Sequence, residues 1–192
     1  MPEVPYDELR WEVVLSAAGQ LGEQPAGHGR VLSGVALDFP AASDFPAASG
    51  GPATGGPVPE QAVLVPDLVV LARDAVRGGR GRFGAAGVEA VLEVARPGLA
   101  EAGRGYARSG VPLYVVVDPA AAVCVVHTAP APEGVYREAE RVPFGDDLFL
   151  PLGGRTVVLR TDLFPTPSAD PSPTASPTPG TDHGVGRGIV DG

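Results

Sequence analysis

Three apolar runs dominate the middle of the chain: VLVPDLVVL from Val63, VEAVLEVA from Val88 and VPLYVVVD from Val111. Their length and their Val and Leu content predict buried strands. A fourth run, AVCVVHT, follows the turn DPAA, so residues 112–118 and 122–127 read as a hairpin, and 63–71, 88–94, 112–118 and 122–127 are expected to share one sheet. Between the second and third strands, LAEAGRGYAR places Leu99, Ala102, Gly103 and Tyr106 on one helical face, which predicts a helix over Leu99–Arg108 weakened by Gly103 and Gly105. Residues 5–18, PYDELRWEVVLSAA, fit two periods. Leu9 and Val13 suit a helix, while Trp11, Val13 and Leu15 alternate as a strand would, and the reading adopted is a strand from about Arg10. GHGRVLSGVALDF, residues 27–39, carries helical spacing interrupted by Gly34 and reads as a short helix. Toward the end, YREAERVPFGDDLFLPL and RTVVLRTDLF supply shorter strands expected to close the sheet.

Two stretches lack such patterning. DFPAAS occurs twice in tandem at 38–43 and 44–49 and runs into GGPATGGPVPEQ. A Pro, Ala and Gly repeat this short is a loop insertion rather than a solenoid unit, so 38–61 is read as loop. From about Pro165 the chain is rich in Pro, Ser and Thr, with too little apolar surface to fold. The expected organisation is an N-terminal extension over 1–9, one domain over 10–163 and a disordered tail over 164–192.

Composition narrows the chemistry. The 192 residues suit a single domain with appendages. With one cysteine, Cys124, the chain can form no internal disulfide and no Cys-rich zinc site. No apolar run approaches the roughly 20 residues of a membrane span and the N-terminus is acidic, so a cytoplasmic protein is expected. The formal net charge of -9 argues against a whole-surface nucleic-acid footprint, although a local basic strip can still grip phosphate. All the basic residues are arginine; lysine is absent.

Inside the first two strands stand Asp67 and Glu93. A carboxylate within a Val and Leu run is costly to bury unless something positive compensates it, and a divalent cation is the usual compensation. Pro66 cannot donate to a ladder, which puts Asp67 where the strand is irregular. Alternation sets Glu89, Val91 and Glu93 on one face of the second strand and Val88, Ala90, Leu92 and Val94 on the other. At about 3.3 Å per residue Glu89 and Glu93 are roughly 13 Å apart, too far to share one ion, so only one can join Asp67. Arg73, Arg77, Arg80 and Arg82 lie among glycines between the two strands, either a solvated loop or a phosphate-gripping strip. His28, His127 and His183 show no ligand spacing.

Taken in order, PDLVVL, VLEVARP, YARSGVPLYVVVDP and VCVVHT resemble the Uma2-like putative restriction endonucleases, a branch of the PD-(D/E)XK nuclease fold, over roughly residues 10–163. The resemblance implies an α/β fold, a restriction-endonuclease-like mixed β-sheet flanked by helices. It implies a site in which Asp67 and Glu93 hold Mg2+ for hydrolysis of a phosphodiester, with DNA as the partner and a homodimer as an admissible assembly. An N-terminal acid completes the family's set, and Glu12 is its match here. The family's lysine, about one turn before the tyrosine of the YA motif, falls on Ala102, and the segment between Glu93 and Tyr106 is shorter than usual. Arg104 is then the nearest cation. It can steady a phosphate, but arginine stays protonated and does not serve as a base.

Three functions remain open on these residues: a Mg2+-dependent DNA endonuclease weakened by the missing lysine, a catalytically inactive nuclease-fold module that binds nucleic acid or protein through the arginine loop, and a decayed gene product. The plain alternatives for the acids are that Asp67 opens a strand, Glu93 faces solvent and Asp118 serves a turn.

Overall fold

The computed structural model describes residues 6–24, 29–39, 63–78 and 81–166. A six-stranded sheet runs through its centre in the order β1 (Arg30–Ser33), β4 (Leu68–Leu71), β6 (Val88–Val94), β7 (Leu113–Asp118), β8 (Val123–Ala131), β9 (Val135–Pro143). Within this sheet, among the described residues, only β6 and β7 pair in parallel. Parallel neighbours need a crossover, and α2 (Leu99–Arg108) provides it at the bounds the sequence predicted. The mixed α/β fold expected from the sequence is therefore the one observed.

Two apolar layers cover the sheet. On one face α1 (Tyr6–Glu23) and the hairpin of β10 (Asp147–Leu152) with β11 (Arg155–Arg160) pack on Leu68, Val70, Leu92, Val115 and Cys124. On the other, Tyr106 of α2 packs with Leu37, Phe39, Phe83, Val91 and Tyr114. That second layer includes a small sheet of β2 (Leu37–Asp38), β3 (Val63–Leu64) and β5 (Phe83–Gly84).

Several expectations change. The stretch from Arg10 is helical, not a strand: Val13, Val14, Ala17 and Leu21 are buried while Trp11 and Leu15 are exposed. The period of 3.6 wins because the sheet offers this segment an apolar face to lie on, and Asp7 and Glu8 suit the positive end of the helix. Residues 29–39, the described part of the stretch expected as a short helix, form no helix. β1 pairs with the edge of β4, and Gly34, at φ +64°, turns the chain toward β2. Gly29 approaches the backbone of Leu71, Ala72 and Arg73 so closely that no Cβ fits there. The run 63–71 is broken at Pro66 into β3 and β4, which belong to different sheets; its latter half, with the other three runs, does share one sheet.

Neither β10 nor β11 closes the central sheet. β9, with exposed Arg137, Glu138, Glu140 and Arg141, ends it, and a charged edge discourages further pairing. Glu89 also departs from strict alternation: Leu71 pairs with Val88 and Val70 with Ala90, so Glu89 is the extra residue of a β-bulge, and Val88 packs on the same side as Val91. Of the expected loop over 38–61, Asp38 ends β2 and Phe39 is buried in the second layer; the rest of the tandem repeat and loop, at 40–62, and the tail from 167 lie outside the described residues, as do His28, Arg80 and His183. No helix among the described residues is long and apolar enough to cross a membrane.

Cys124 is fully buried, and burial pushes its thiol up to about 12. The thiolate is the reactive form. The folded protein is expected to resist iodoacetamide at pH 8 and to react stoichiometrically once unfolded in urea, as mass spectrometry of the intact chain would register.

Candidate functional site

Asp67 and Glu93 are both buried, at 4% and 0% exposure. Asp67 stands just before β4, directly after Pro66, which lies between β3 and β4; Glu93 is near the end of β6 with Val94 between it and the loop to α2. Because Leu68 pairs with Leu92, the start of β4 lies beside the end of β6, and the two acids meet. The expectation that Glu93 could face solvent fails, since α2 covers that side of the strand.

The two carboxylates are compensated by arginines. Asp67 Oδ1 accepts from both Nε (2.9 Å) and Nη2 of Arg10, which reaches over from α1. Its Oδ2 accepts the Val94 backbone N–H at 2.8 Å and Nη1 of Arg96 at 3.1 Å. The same Arg96 nitrogen lies 2.6 Å from Glu93 Oε2. That contact is a short ion pair, and Oε2 has no partner besides Arg96 among the described residues. Glu93 Oε1 accepts the hydroxyl of Tyr106 at 2.7 Å. Two negative and two positive side chains thus balance, with Arg10 and Arg96 about a third exposed at 33% and 28%.

Burial holds the Glu93 carboxyl above its usual range, partly offset by the Tyr106 hydrogen bond and the Arg96 charge. Burial and the neighbouring Glu93 charge push the Tyr106 phenol upward, which keeps it a donor. Tyr106 is fixed between Phe39 and Tyr114, with ring centroids 5.5 and 5.3 Å away. Gly103 on the same helix leaves the space Tyr114 needs, since a Cβ there would come within 2.9 Å of Tyr114 Cε1.

The donor chemistry fits one divalent ion. Hard carboxylate oxygens from the start of β4 and the end of β6 converge on a single cationic nitrogen, and Oε2, whose one partner among the described residues is Arg96, keeps a second lone pair open. Only two acids take part: no group of three or more His, Cys, Asp or Glu side chains able to hold a metal forms among the described residues.

The other sequence candidates lie elsewhere. Glu12 is exposed on α1, two residues after Arg10 and so about 200° around the helix from the arginine that meets Asp67. Arg104 is exposed on α2 and lines a neighbouring cleft of about 440 Å³ with Tyr114, His127 and Tyr136. It makes no ion pair with either acid among the described residues. Ala102 packs partly buried against the core beneath α2. In the arginine loop, Arg77 lies over the Phe83 ring, as does Arg30 of β1, and Arg82 pairs with Asp38 at 3.0 Å, so these side chains serve the small sheet. Asp118 accepts the N–H of Ala121 and caps the β7–β8 turn.

Sequence reasoning missed Arg10 and Arg96. The signal for Arg96 was its position three residues after Glu93, within VLEVARP. A buried acid needs a positive partner, and where the sequence pattern points to a metal, Arg10 and Arg96 meet the acids.

A family model described as Uma2, putative restriction endonuclease, matches residues 5–160. Among solved structures, a putative nuclease belonging to DUF820 from Anabaena variabilis is similar at 15% identity, over 79% of this chain and 74% of that one, with a TM-score of 0.47. No curated protein matches the chain.

Proposed function

We propose that this chain, which belongs to the Uma2 family, is a Mg2+-dependent DNA endonuclease of the PD-(D/E)XK type with low turnover. The observation that carries this reading is the meeting of Asp67 and Glu93 on one cationic nitrogen in a buried position. Asp67 and Glu93 would hold the ion, which when bound would lower the pKa of a coordinated water and stabilise charge on the phosphoryl oxygens. Arg10 and the Val94 N–H orient Asp67, and Tyr106 orients Glu93. Arg104, exposed on α2, is a candidate phosphate contact.

Proton handling is the weak point. With no lysine in the chain, Ala102 at the family's lysine position and only arginines nearby, no cation beside the acids readily gives up a proton. Losing one preorganised group of this kind commonly lowers turnover by about 10²- to 10³-fold. Mg2+-dependent nicking of plasmid DNA is therefore expected to be slow, to vanish in Asp67→Asn and to be only partly raised by Ala102→Lys, whose side chain would have to leave a packed position. Fast cleavage by the unmodified protein would refute the weakened site. Cleavage unaffected by Asp67→Asn would refute the site itself.

A second reading, a catalytically inactive module that binds nucleic acid or protein, is favoured by one observation: Arg10 and Arg96 already neutralise both acids. Retention of DNA in the presence of a chelator, with no cleavage when Mg2+ is restored, would select it.

A further inference from the structure

Resting on the reading of Asp67 and Glu93 as a metal site, we propose that Arg96 is an internal competitor for the metal, which must swing out of the site before a divalent cation enters and is then free to face the phosphate. The argument begins with position. Nη1 of Arg96 touches Asp67 Oδ2 at 3.1 Å and Glu93 Oε2 at 2.6 Å, and these are the oxygens best able to take a shared ion. Oδ1 of Asp67 is held by Arg10, and Oε1 of Glu93 by Tyr106. A guanidinium and a divalent cation cannot both occupy the space between Oδ2 and Oε2, and like charges at that range repel strongly.

Release of Arg96 leaves the acids ready. Asp67 Oδ2 keeps its bond from the Val94 N–H, which uses one lone pair and leaves the other open. Arg10, on the far oxygen, still holds Asp67 in place. The motion required is small, because the backbone around Arg96 is anchored: the Ala95 N–H bonds Val117 O at 2.8 Å, and Gly98 O accepts the N–H of Glu101 at the start of α2. Rotation of a side chain already 28% exposed is enough. The positive charge then stays on the loop bordering the acids, where a scissile phosphate would bring negative charge. Arg104 has no such relation to the acids.

Isothermal titration of the full chain with Mn2+, alongside circular dichroism of each variant, tests this. Unmodified protein is expected to bind Mn2+ weakly, and Arg96→Ala to bind it at least about tenfold tighter, with the gain abolished by adding Asp67→Asn. Arg104→Ala should leave the affinity unchanged. Should Arg96→Ala not fold, Arg96→Gln removes the charge while keeping a donor toward Asp67, and a smaller gain is expected. Affinity equal to or below that of the unmodified protein in a folded Arg96 variant would overturn the competition. Tighter Mn2+ binding in Arg96→Ala together with no Mg2+-dependent DNA cleavage by the unmodified protein would support the role of Arg96 and count against the endonuclease reading. Cleavage without tighter binding would do the reverse, and absence of Mn2+ binding in every variant would refute both.

Discussion

Asp67→Ala is expected to destabilise the protein by about 3 kcal/mol and to lower the melting temperature by roughly 6–12 °C. Four contacts end on this one side chain: two from Arg10, one from the Val94 N–H and one from Arg96. Its removal leaves two guanidiniums facing one carboxylate and a buried backbone donor without an acceptor. Breaking a buried pair by deleting one partner costs roughly 3–5 kcal/mol, and the lower end applies because both arginines are about a third exposed and water can reach them. Asp67→Asn keeps an acceptor for Val94 and should cost less. Urea unfolding of the two variants separates the contributions, and a loss below about 1 kcal/mol for the alanine variant would mean the network adds little to folding.

Tyr106 should show the second large effect. Tyr106→Ala removes a fully buried ring from between Phe39 and Tyr114, at an expected cost of about 3–5 kcal/mol. Tyr106→Phe keeps the ring and removes only the donor to Glu93, costing about 1–3 kcal/mol. The phenylalanine variant also carries a pH signature. Burial raises the folded-state pKa of Glu93 above the 4.5 of an unperturbed group, so between the two values the native state holds a proton that the unfolded state has released. Stability contributed by Glu93 therefore falls as pH rises through that interval. Tyr106 lowers the folded value, so its loss widens the interval and enlarges the total fall. The gap in urea midpoint between the unmodified protein and Tyr106→Phe is expected to be larger at pH 8 than at pH 5; a constant gap would mean that the hydroxyl does not act on the ionised carboxylate.

Much of this architecture follows from local pattern. The strands over 88–94, 112–118 and 122–127 and the helix over Leu99–Arg108 are legible because each carries a run long enough for its period to be distinctive, with turns marked at DPAA and Gly110. Asp67 and Glu93 stand out for the same reason, as charges where the pattern demands apolar side chains. The errors fall where the period is ambiguous. Arg10 to Leu15 satisfies both helix and strand, and only the apolar face of the sheet, built from residues far along the chain, selects the helix. Residues 30–33 become a strand because the edge of β4 offers unpaired backbone groups, which no property of RVLS announces.

What the sequence by itself determined is four strands of the central sheet, its crossover helix and the two buried acids, since burial of a carboxylate among Val and Leu is written in neighbouring residues. Only the tertiary structure decided what compensates those acids. Arg10 and Asp67 are 57 positions apart, and their meeting depends on α1 crossing the sheet beside β4. Arg96 is close to Glu93 in sequence, but its contact with Asp67 depends on β4 and β6 lying side by side in a register that aligns Leu68 with Leu92. Coulomb attraction depends on distance in space, and that distance exists only once the layers are packed.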